Sequence, residues 1–221
     1  MLPLPLTTAL AAGYLLAAAG CPAMPHMAGD DTQMSFTHKA PVIENDKDAA
    51  TLGSYNVSTT FSRSRNEIFK VGGLHLSEFV PRFIISYNVA GRTDGKVCIA
   101  PASVSIAVHY EPRVLIASEY EKGSCMYGKV LEHEMQHVNV DIITFKELLP
   151  QLQKSVQAAA MSITPMGPMP EASLETAKNI LTEKIKDALV ASVEEIEQIR
   201  FNRQQRIDTR QEYLRISGAC R

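Results

Sequence analysis

The stretch VLEHEMQHVNVDIITFKELL, residues 130–149, decides how the chain is read. Leu131, Met135, Val138, Ile142, Phe145 and Leu149 return every three or four positions, and Leu152 and Val156 extend the row. That period lays them along one stripe of an α-helix. His133 and His137 fall roughly opposite the stripe, four residues apart. At that spacing two side chains leave one helix face and lie about 6 Å apart along the axis. The pattern predicts a long helix from Met126, kinked at Pro150, which lacks the N–H the helix needs.

Upstream the period changes. SYNVSTTF (54–61) and SVSIAVHY (103–110) alternate, and FIISYNVA (83–90) and RVLIASEY (113–120) are rich in β-branched residues. These predict strands over 51–120. GRTDGK (91–96) holds an Asp-Gly turn signal. YEPR (110–113) is expected to reverse the chain, and a hairpin centred there sets Cys98 opposite Cys125. A Cys98–Cys125 disulfide is therefore expected. The alternatives are two buried thiols, or Cys220 paired with one of them.

Downstream, TPMGPMP (164–170) breaks the chain, and a second helix is expected from Glu171 to Arg206. A new helix starts near DTRQE (208–212), with Asp208 or Thr209 as its cap and Thr209 with Glu212 as a capping box. The expected fold class is α+β: an antiparallel β-meander, a long helix carrying the site, then a C-terminal helical segment. One domain covers 51–221, with its β part over 51–125 and its helical part over 126–221.

The first 21 residues carry no charged side chain and match a signal peptide in length. LAAAGC resembles a bacterial lipobox, so Cys21 is the expected lipidation site. Simple cleavage after Ala19 and an uncleaved anchor are the alternatives. Residues 22–50 look like a tether with a partly ordered lead-in. Export implies an oxidising compartment. The net charge of −2 over 221 residues excludes nucleic acid as an expected partner. Met24, His26 and Met27 suit Cu(I) in ligand softness, but methionines in a flexible linker need no metal. His75 is isolated, and RFNRQQR (200–206) looks like a solvated helix end.

The chemistry lies in HEMQH (133–137). Two neutral imidazoles at this spacing can converge on one zinc ion, and Glu134 is placed to act as a general base. HEMQH resembles the active-site motif of the zincin metallopeptidases. The order of a β-rich half, an active helix and a helical C-terminus is similar to small secreted bacterial zinc proteases. The resemblance implies His133 and His137 as metal ligands and Glu134 as the catalytic base, with one zinc per chain. A third histidine at the end of an extended HExxHxxGxxH motif is absent, since Val140 and Ile143 stand there. Asp141 lies about 12 Å along the axis from His133, too far to share the ion. Glu212 is the expected third ligand, with Glu197 and Asp208 as alternatives, and Tyr213 is a candidate hydrogen-bond donor to an oxyanion. By analogy with the same family, RVLIASEY is the strand expected to bind an extended substrate.

The functional expectation is an exported, membrane-tethered zinc endopeptidase acting on peptide or protein segments in the bacterial cell envelope. The rival is a non-enzymatic envelope lipoprotein that binds a partner, with zinc structural or absent.

Overall fold

The computed structural model describes residues 20–55, 71–77 and 79–220. The expected leader over 1–19 lies outside them, as does SYNVSTTF from Asn56 onward. Among these residues, strands β1 (Thr32–His38), β2 (Val42–Glu44), β3 (Gly73–Leu76), β4 (Val80–Gly91), β5 (Lys96–Tyr110), β6 (Arg113–Ile116) and β7 (Met166–Pro170) accompany four α-helices. The helices are α1 (Ala49–Leu52), α2 (Cys125–Met161), α3 (Leu174–Gln204) and α4 (Arg210–Gly218). The fold is α+β, but its sheets are not a simple meander. One sheet runs β1-β5-β4, with β7 also on β5; the other runs β2-β6-β3.

The predicted hairpin of β4 and β5 forms across GRTDGK. Gly95 adopts φ +77°, which a side chain would resist, and Arg92 N–H donates to Lys96 O at 2.8 Å. The second predicted reversal does not form. At Glu111–Pro112 the chain bends but keeps its direction, leaving one sheet and entering the next. β1 pairs parallel with β5, and β2 pairs parallel with β6. Bonds from Lys39 N–H to Tyr110 O and from Val42 N–H to Pro112 O carry the pairing across the bend. Residues 32–44, expected in a tether, therefore supply two strands.

This bend removes the register on which the Cys98–Cys125 bridge rested. The disulfides are Cys21–Cys98 and Cys125–Cys220. The Cys21 sulfur, which the lipidation expectation needs, is here bonded to Cys98. No helix of the described residues is long and apolar enough to cross a membrane.

Helix α2 runs unbroken through Pro150 and packs on the inner face of the larger sheet. Val104, Ile106, Val108 and Tyr110 of β5 meet Phe145, Leu149, Leu152 and Val156 of α2 in one buried cluster. Phe145 is the centre, with the rings of Phe79, Tyr110 and Phe36 at 4.6, 5.3 and 5.8 Å. On its other side α2 meets α3, which buries Ile185, Leu189 and Ile196. Because α2 is covered from two sides, its buried face is wider than its apolar stripe. His133, Glu134, His137, Asp141 and Thr144 are buried too. The histidines are interior groups, not members of a solvated face.

Candidate metal centre

His133 and His137 project from the N-terminal half of α2, which Ser124 caps by accepting a hydrogen bond from Tyr127 N–H. The third group arrives after α3 ends at Gln204 and the chain turns back. Asp208 sits in that turn, just before the cap of α4. Its Oδ1 lies 3.1 Å from His133 Nε2 and 3.2 Å from His137 Nε2, and the two Nε2 atoms are 3.3 Å apart. Three ligand-type atoms on three buried residues thus form a nearly equilateral triangle, and the group can hold a metal ion.

The triangle passes a quantitative test of fit. Two ligands each about 2.05 Å from a tetrahedral metal lie about 3.3 Å from one another. All three edges fall close to that. Asp208, the last of the three sequence alternatives, thus takes the place expected of Glu212. Glu212 accepts a hydrogen bond at 3.4 Å from the far nitrogen of His133, Nδ1, and is gripped by Arg215 at 2.7 Å through both carboxylate oxygens. Only half of the predicted capping box forms. Thr209 Oγ1 accepts from Glu212 N–H, while the Glu212 carboxylate turns to Arg215 and His133. Glu197 is further off, paired with Arg200. α2 and α3 pack antiparallel with His137 beside Gln204 and Asp141 beside Arg200, a register that carries Glu197 past the histidines.

Glu134 is 5 % exposed and faces β3. Burial lifts its pKa to about 7, although His137, His133 and the main-chain N–H of His75 pull it down. Burial also disfavours a charge on His137, but the bond and charge of Asp208 outweigh this and raise its pKa to about 9. Asp208 shows the mirror image. Burial pushes it up, and the two histidines hold it at about 2. Tyr213 lines the same cleft with Gly73, Leu74 and His75. Its hydroxyl donates to Asp208 Oδ1 at 3.3 Å, and burial raises its pKa.

Several residues here had no signal of their own. His75 stacks on His137, with ring centroids 6.2 Å apart and planes within 8°. Burial lowers its pKa to about 4, so it is neutral near pH 7. Arg200 and Gln204 come from the segment expected to be solvated. They reach Asp141, which is fully buried and also accepts from Ser77 and Tyr110.

RVLIASEY, expected to be the substrate strand, is central in its sheet as β6, flanked by β2 and β3. The strand beside the site is β3. Gly72 O takes the Ala117 N–H and Leu74 pairs with Leu115, so by antiparallel alternation Gly73 and His75 turn their main-chain groups away from β6.

Comparison with protein-family profiles, curated proteins and solved structures finds no match for this chain.

Proposed function

We propose that the protein is an exported zinc-dependent endopeptidase. The observation that carries this is the triangle of His133, His137 and Asp208 with Glu134 beside it. Two imidazoles and one carboxylate, closed to near-tetrahedral edges, suit zinc, and three protein ligands leave a fourth position free. Zinc bound there would polarise a carbonyl and make water a stronger acid.

The chain's own residues would do the rest. Glu134, buried beside the triangle, takes a proton from the attacking water and returns it to the leaving amine. Its carboxylate is steadied by the His75 main-chain N–H. Asp208 binds through the oxygen that also accepts from Tyr213, so Tyr213 steadies the ligand. The outward main-chain groups of Gly73 and the outward carbonyl of His75 offer an edge for an extended peptide. Substrates on this reading are peptides or unfolded protein segments. Two disulfides favour an oxidising compartment such as the bacterial envelope.

A second reading, a partner-binding protein with a structural metal, draws on the burial of the whole group at 4–7 % exposure. Glu134 separates the two. The test is zinc content by elemental analysis together with cleavage of an unfolded protein. We expect about one zinc per chain, lost in Asp208→Asn, and cleavage that Glu134→Gln abolishes while zinc stays. Zinc without cleavage by the wild type would favour the structural reading. No zinc after add-back would end both.

A further inference from the structure

Two polar rows face each other across α2 and the end of α3. His133 opposes Asp208, His137 opposes Gln204 and Asp141 opposes Arg200. The partner steps back four residues each time α2 advances four.

The middle rung has a direction. Asp141 is engaged by the Arg200 fork, Nε to Oδ1 at 2.7 Å and Nη2 to Oδ2 at 3.0 Å. As a carboxylate it can only accept. The Gln204 amide must therefore turn its NH2 group toward Asp141 Oδ1, 2.5 Å away. The same NH2 donates to the His137 carbonyl at 3.0 Å, another group that only accepts. With both donors so placed, Gln204 Oε1 faces His137 Nδ1 at 2.5 Å. A carbonyl oxygen cannot donate, so Nδ1 must carry a hydrogen. A neutral imidazole has only one, which leaves a lone pair on Nε2, the nitrogen in the triangle.

We propose that Gln204, its amide turned by the Asp141–Arg200 pair, is a positioning residue that holds His137 in the tautomer a metal ligand needs. The proposal rests on the metal-site reading above. It also explains why an amide stands at 204. A glutamate would set lone pairs against those of Asp141 and the His137 carbonyl. Partners of this kind typically change metal affinity 10–100-fold when removed.

The experiment uses the full disulfide-bonded chain. Zinc affinity is measured by competition with a chromophoric chelator, and the imidazole rings are followed by 15N–1H NMR in the zinc-loaded protein. Gln204→Met fills the space without an acceptor and should weaken zinc 10–100-fold. Its His137 Nδ1 proton, which should exchange slowly in the wild type, should exchange fast. Gln204→Glu should weaken zinc as well. Adding Asp141→Asn to Gln204→Glu supplies a donor at 141 and should recover part of the loss, which a residue needed only for its volume would not do. Wild-type affinity in both single variants would overturn the proposal while leaving the metal site standing. If Gln204→Met does not fold, a double variant binding no tighter than Gln204→Glu overturns it. A wild-type chain that takes up no zinc removes the metal site and the role of Gln204 together.

Discussion

Gly73 and Glu134 show how narrow the tolerances are at a single residue. A Cβ on Gly73 would come within 2.5 Å of Val130 Cγ1 and 2.6 Å of Glu134 Oε1. Gly73→Ala should therefore displace the Glu134 carboxylate. We expect a loss of roughly 100-fold in peptide cleavage, within the range for misplacing a general base, with zinc content unchanged. The His137–Asp208 pair sets a pH dependence in the metal-free protein. The His137 contribution to stability is complete below the ordinary histidine value of 6.5 and is lost as pH rises through about 9. That of Asp208 is complete above 3.8 and is lost as pH falls toward about 2. Thermal melts should show this pair stabilising the metal-free protein most between those ordinary values, and less by pH 9. An unchanged melting temperature from pH 6 to 9 would mean the pair is not formed. His133 and His137 were legible as a possible metal pair because their type and spacing are specific. Gln204 was not, because glutamine carries no chemistry that marks it until Asp141 and His137 fix its direction.

At the scale of elements, the period of α2 was legible and its environment was not. Hydrophobic spacing located Phe145, Leu149, Leu152 and Val156, all of them buried. It did not show that the opposite face is covered too, since an apolar stripe alone does not tell one covering layer from two. Phe145→Ala should cost about 3–5 kcal/mol in urea unfolding, given a fully buried ring among three aromatic neighbours. A cost below about 1 kcal/mol would remove Phe145 from the centre of the core. The turn at Pro112 was misjudged because Pro and a charged neighbour mark a bend as readily as a reversal. The sequence did hold one unused signal. Asp141, His137 and His133 recur every four residues, and so do Arg200, Gln204 and Asp208, in opposite order. Helix α4 is held where Glu212 and Tyr213 reach the site partly by Cys125–Cys220, which joins the first residue of α2 to the segment after α4. Paired Cys125→Ser and Cys220→Ser should cost about 2–5 kcal/mol by urea titration. The same variant should weaken zinc as α4 frays.

For the molecule as a whole, the α+β class and the order of β-rich and helical halves were legible, since each rests on local periodicity. The sheet topology was not. β1 joins β5 from 72 positions away, Thr32 beside Val104, and no short-range pattern announces a parallel partner at that distance. The bridge between Cys21 and Cys98 spans nearly the same stretch, 77 residues. This has a consequence for the time the chain needs to fold. Parallel pairing of distant strands is slow because a long loop must close before any contact rewards it. A bridge already formed closes that loop in advance and turns a search through the whole unfolded coil into a local one. Stopped-flow refolding of the oxidised chain should accordingly outpace that of a Cys21→Ser, Cys98→Ser chain, and equal rates would mean that β1 docks only after the folding barrier is crossed.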